Sequence, residues 1–185
     1  VISSKEGAYA LERGAKVGIP GYVIPRKQFD SNRAMTVALV EKLKELEIDL
    51  VVLAGCMVIF TNELVEAYPN AVMNVHPALI PSFCGEGFYG LRVHEAALEY
   101  GVKVTGATVH FVNEIPDGGK IIAQKAVEVQ PDDTPETLQK RIMQQAEWII
   151  LPRAIQTIAE DAALSAAIGG TTCMRRNPEA TDALH

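Results

Sequence analysis

Apolar positions along this chain follow two rhythms. Short unbroken runs mark buried strands, and stretches with apolar residues three and four apart mark amphipathic helices. Residues 1–4 read as a strand and residues 5–16 as a helix closed near Gly18. Residues 21–25 form a short extended piece. Ser31 then caps a helix on which Met35, Leu39, Leu43 and Leu46 keep one face. Residues 48–54, rich in Val and Leu, have the near-continuous apolar content of a parallel strand covered on both faces. Gly55 ends that strand where a loop can pass close to a ligand. A short helix over 61–68 leads into a central strand over 71–75, which stops where Pro77 removes a backbone donor.

The second half continues the alternation. The segment CGEGFYG, residues 84–90, is too irregular for a helix and is expected to fold over whatever lies beyond the central strand. Residues 92–100 read as a helix ended by Gly101, with His94 on its surface. Residues 103–112 and 120–129 read as two strands joined by the turn NEIPDGG. Thr134 followed by Pro135 marks a helix start, and the helix runs through Trp148 until Pro152 breaks or kinks it. From Leu164 the apolar periodicity fades, so residues 164–185 are expected to form a mobile tail. Alternating strands and helices predict an α/β fold, doubly wound around an open and largely parallel sheet, with ligands beyond its carboxyl edge.

Composition narrows the class. A chain of 185 residues with 48% hydrophobic and 22% charged residues is long enough for one soluble domain with a real core. No apolar run reaches the length of a membrane span, and no basic, hydrophobic and cleavable leader pattern opens the chain, which together point to the cytoplasm and away from membranes. Cys56, Cys84 and Cys173 form no Cys-x-x-Cys pair, which supports neither a disulfide framework nor a structural zinc site. A net charge of −6 and a pI near 5.2 weigh against nucleic acid as a partner.

The chemistry concentrates in MNVHPALIPSF, residues 73–83. Residues two apart on a strand project to one face, so Asn74 and His76 aim together past the strand's carboxyl end. An amide offers neutral donors and an imidazolium a charged one, a pairing that suits an oxyanion of acyl transfer. Asp117 lies in the glycine-rich turn after the next strand. A carboxylate beside an imidazole favours its charged form, and it can hold a water that carries a proton. Asp before two glycines is also ordinary turn chemistry. His110 alternates with apolar Val109 and Phe111 and reads as a satisfied neighbour of the site.

MNVHPALIPSF and GATVHFVNEIPDGGKII, together with AYALERGAK and EIDLVVLAG, resemble the folate-dependent formyltransferases over roughly residues 1–160. The resemblance implies a Rossmann-like formyltransferase domain over residues 1–163 and gives Asn74, His76 and Asp117 the catalytic positions. It implies transfer of a formyl group from 10-formyltetrahydrofolate to the amine of glycinamide ribonucleotide, a step of purine synthesis that needs no metal. It places Met57, Val58, Ile59, Phe60, Arg33, Asn113, Asn74 and Asp117 toward the folate, and Gly55, Val75, Pro77 and Glu147 toward the ribonucleotide. Each of these has a plainer reading: the 57–60 segment as core, Arg33 as a solvated helix residue, Glu147 as a polar helix position. Val58 departs from the family, many of whose members carry a basic residue there. The family also opens with a strand and a glycine- and serine-rich phosphate loop, and neither has a match in this sequence, so the expected sheet lacks both. A deformylase with water as acceptor, a methionyl-tRNA formyltransferase and a noncatalytic folate-binding fragment remain as alternatives; His76-Pro77 favours transfer over hydrolysis.

Overall fold

The structure, a computed structural model, describes residues 1–168. It is an α/β fold. Strand β1 (Ile2–Ser3) pairs in parallel with β2 (Tyr22–Val23), and helix α1 (Tyr9–Lys16) connects them. Helix α2 (Asn32–Glu45) begins at Ser31, whose hydroxyl accepts from the Ala34 N–H at 3.0 Å, as the sequence led us to expect. A second sheet has the order β3 (Val51–Leu53), β4 (Val72–His76), β5 (Val104–Phe111), β6 (Ile121–Glu128). The β3–β4 pairing is parallel, across the crossover helix α3 (Glu63–Ala67). From β4 onward the pairings are antiparallel; between β5 and β6 the connecting turn is too short for a crossover.

Helices cover both faces of this sheet. One face packs Val51 and Val72 with Leu39, Val40 and Leu43 of α2 and Leu64 of α3. On the other, Met73, Val75, Ala107, Val109, Phe111 and Val127 meet helix α5 (Pro135–Ile142) and helix α6 (Trp148–Ile168). Strand alternation therefore sends Met73 and Val75 into one core and leaves Val72, Asn74 and His76 on the opposite face. Helix α4 (Leu91–Tyr100) packs beside α5 and ends at Gly101, whose φ of 80° lies in the left-handed region.

Two expectations about the C-terminal helices need correction. Of the break or kink expected at Pro152, the break does not occur: the proline lies inside α6. Proline leaves the Trp148 carbonyl without its helical donor, and the chain widens into a π-helical turn over Met143–Glu147, just before that point, instead of ending. Nor does the helix stop at residue 164. The alanine-rich stretch after it favours continuation, and α6 runs to Ile168. The remainder of the expected tail, residues 169–185 with Cys173, lies outside the described residues. Among the described residues no helix is long and apolar enough to cross a membrane.

Candidate active site

Four segments meet at the carboxyl end of β4. Asn74 and His76 share a face, as the two-residue spacing requires, and the antiparallel register sets His110 opposite Asn74 and Thr108 opposite His76. The result is a polar row across β4 and β5. His76 and His110 are buried at 4% and 2% exposure. Burial at that level demands partners, and the hydrogen bonds supply them.

The turn after His76 is tied down from β5 and β6. The Thr108 hydroxyl donates to the Ala78 carbonyl at 2.7 Å and accepts from the Ile80 N–H at 3.1 Å. Gln124 Nε2 donates to the Ile80 carbonyl at 3.0 Å and to the Thr108 hydroxyl at 3.0 Å. Thus anchored, the turn passes through a cis Ile80–Pro81 bond and brings the Phe83 carbonyl to 2.8 Å from His76 Nε2. A carbonyl oxygen only accepts, so Nε2 carries the hydrogen and Nδ1 is the working nitrogen. The Phe83 ring meets Phe88 and Tyr100 edge-on, with centroids 6.4 and 6.0 Å away.

Asp117 reaches the same place from the β5–β6 turn. Its φ of 55° is left-handed, as the turn reading allowed, yet its carboxylate is not turned to solvent. Oδ2 lies 3.4 Å from His76 Nδ1 and accepts from the Gly85 N–H at 2.9 Å, while Oδ1 lies 3.5 Å from His110 Nε2. Burial pushes this carboxyl up, but the Gly85 N–H, which donates to it, and the charge of His76 beside it hold the carboxyl below the usual range. Gly119 makes the turn possible: a Cβ there would fall 1.7 Å from the Phe111 carbonyl oxygen. Cys84, in the loop over the site, has its thiol pushed up by burial and then by the Asp117 charge.

The other residues singled out from sequence divide. The parallel register sets Leu53 beside Asn74, so the loop from Gly55 opens at the same sheet edge as His76. In that loop Met57 and Ile59 are 76% and 71% exposed and are not core residues, whereas Phe60 packs into the α2–α3 core and Val58 is half-buried. Asn113 is exposed and uses its side-chain oxygen to accept from the Ile115 N–H at 3.0 Å, closing its own turn. Arg33 pairs with Glu63 at 2.5 Å across the start of α2 and α3. The Val75 side chain belongs to the opposite core, and Pro77 is half-buried after β4. Glu147 stands at the end of the π turn, half-buried on the layer covering the other face, where burial pushes its carboxyl up. No hydrogen bond or ion pair among the described residues joins it to Asn74, His76 or Asp117.

Sequence reading missed two features. His94, expected on the helix surface, is 1% exposed, with neither ring nitrogen hydrogen-bonded to any of the described residues. The signal was present: Leu91, His94 and Leu98 fall three and four apart on α4, the spacing of a buried stripe. The Phe83 carbonyl and Gly85 N–H were missed because backbone groups leave no mark in residue identity. Among the described residues, no group of three or more His, Cys, Asp or Glu side chains could hold a metal ion.

Comparison with known proteins agrees on one family. The family described as formyl transferase matches residues 1–155. A chloroplastic phosphoribosylglycinamide formyltransferase of Arabidopsis thaliana is 41% identical over 144 residues, 77% of this chain, which spans 49% of that relative's length. The phosphoribosylglycinamide formyltransferase of Haemophilus influenzae is 39% identical over 86% of this chain and 73% of its own length. The crystal structure of glycinamide ribonucleotide transformylase 1 from Symbiobacterium toebii superposes with a TM-score of 0.80 at 41% identity, covering 86% of this chain and 73% of that one.

Proposed function

The chain belongs to the formyl transferase family, and from that premise we propose that it moves a formyl group from 10-formyltetrahydrofolate to the primary amine of glycinamide ribonucleotide in purine synthesis. The observation that carries this reading is the convergence of Asn74, His76 and Asp117 at one sheet edge. The amine attacks the formyl carbon and negative charge collects on the formyl oxygen. Asn74 donates a neutral N–H to it. His76 has Nε2 committed to Phe83, and its Nδ1 contact with Asp117 is loose, so Nδ1–H of the imidazolium is shared with the oxyanion. Asp117, held ionised, accepts the proton shed by the attacking amine, directly or through water, and returns it to N10 of the folate as the C–N10 bond breaks.

The exposed apolar side chains of Met57 and Ile59 and the Gly55 backbone suit the flat pteridine of the folate, with Val58 and Phe60 behind them. Asn113 contributes through its backbone, its side chain being spent on the turn, and Arg33 reaches the folate only by leaving Glu63. Gly55, Val75 and Pro77 meet the ribonucleotide through backbone and ring, and Glu147, which has no hydrogen-bond or ion-pair partner among the described residues, receives it as a carboxylate. We assign the reaction to the cytoplasm, where free thiols such as Cys56 and Cys84 stay reduced; the Arabidopsis relative is named as chloroplastic.

The test supplies the full-length protein with 10-formyltetrahydrofolate and, in turn, glycinamide ribonucleotide, methionyl-tRNA or water alone. Formyl transfer that depends on the ribonucleotide is expected. Formate release at the same rate without any amine would replace the reading with a deformylase.

A further inference from the structure

His110 has no part in the reaction as proposed, yet it is almost fully buried and touches both Asn74 and Asp117. Its Nδ1 lies 2.8 Å from the carbonyl oxygen of Phe111. Because that oxygen can only accept, the hydrogen of a neutral His110 ring is fixed on Nδ1 and the lone pair on Nε2. That lone pair faces Asn74 Nδ2 at 3.2 Å.

We propose that His110 is a positioning residue that sets which way round the Asn74 amide stands. A bare Nε2 accepts an N–H and repels a carbonyl oxygen, so the amide turns its NH₂ group toward His110 and keeps its second N–H for the ligand. The reversed amide would set its oxygen against the lone pair. The Phe111 backbone thus fixes the tautomer, the tautomer fixes the amide, and the amide presents a donor to the developing oxyanion. The arrangement requires His110 to be neutral. A hydrogen on Nε2 would instead suit Asp117 Oδ1 at 3.5 Å and would confront the Asn74 N–H with a second donor.

This inference rests on Asn74 being an oxyanion donor, and the experiment separates the two. In the full-length protein, Asn74→Ala, His110→Leu, His110→Gln and the double variant Asn74→Ala/His110→Leu are compared for kcat, KM and folate affinity. His110→Leu fills the space without an acceptor and is expected to lower kcat at least about 10-fold with folate affinity within about 2-fold. The amide oxygen of His110→Gln reaches roughly where Nε2 was and should restore kcat to within about 3-fold of the parent. The double variant should be no slower than Asn74→Ala alone, since His110 acts through Asn74. Wild-type kcat in His110→Leu, or losses that multiply in the double variant, would overturn the proposal while leaving the reading of Asn74 intact. An undiminished kcat in Asn74→Ala would instead remove the donor role and the proposal with it. Should His110→Leu not fold, ¹⁵N chemical shifts of His110 in the unaltered protein decide the matter: hydrogen on Nδ1 is expected, and hydrogen on Nε2 in the neutral ring refutes it.

Discussion

Acidification should weaken this fold through His94 more than through any residue of the candidate site. Burial, and then the charge of His76 facing it, pushes the His94 imidazole down to about 4. In the unfolded chain the same group titrates near 6.5. Between those values the unfolded state binds a proton that the native state refuses. Stability is therefore unaffected above about pH 7, falls as pH drops through 6.5, and stops falling on this account below about pH 4. The loss amounts to about 2 kcal/mol between pH 7 and pH 5 and about 3 kcal/mol by pH 4. Urea unfolding of the parent and of His94→Met, measured at both pH values, isolates it. Methionine fills a similar space and has nothing to titrate. Asp117, Asp133 and Glu147 titrate in both proteins and drop out of the difference. The variant should lose about 2 kcal/mol less than the parent on going from pH 7 to pH 5. Parallel losses in the two proteins would show that the native state accommodates a charged His94, and the argument from its unpartnered nitrogens would fail.

His76→Ala should lower kcat by a factor of about 100 to 1,000, with folate affinity nearly unchanged, because a donor that strengthens only as the oxyanion forms acts on turnover; steady-state kinetics and folate titration check it, and turnover within a few-fold of the parent would remove His76 from the reaction. Gly119→Ala should open the β5–β6 turn and withdraw Asp117 from the site, so that activity falls together with the thermal midpoint; an active, equally stable variant would contradict the 1.7 Å approach to Phe111. Asp133→Asn removes a carboxyl that Arg141 holds down to about 2, and, with solvent screening the pair, it should cost on the order of 1 kcal/mol at neutral pH in urea unfolding. Since that carboxyl's folded value is depressed, its contribution is complete above about pH 4 and disappears as pH falls through 2.

The strand carrying Asn74 and His76 was legible because its information is local. Alternation over 71–76 and the halt at Pro77 place Asn74 and His76 together without reference to any other part of the chain. Asp117 was legible only through family resemblance, since a left-handed Asp before two glycines has the same local cause whether or not its carboxylate turns inward. His110, Thr108 and Gln124 became meaningful only with the register, which sets partners 36 and 16 residues apart side by side. Single-strand alternation marks His110 as polar among apolar neighbours but cannot say that Asn74 stands opposite. Pro152 misled for a related reason: the rule that proline ends a helix holds when nothing else bears on the chain, and here the buried face of α5 and α6 continues through it.

That buried face gives the π turn a meaning of its own. Ile142 and Ile150 enter the same core eight positions apart. In a regular helix eight residues overshoot by about 80°, whereas seven would fall about 20° short of closing. The wide turn over Met143–Glu147 absorbs the surplus residue, so this stretch behaves as a plain heptad carrying one insertion. Deleting exposed Gln144 or Gln145 would leave the seam of Leu138, Ile142, Ile150 and Ala154 in phase while regularising the backbone that offers Glu147. Packing and ligand presentation are thus written into the same helix as separable features, one residue apart in length.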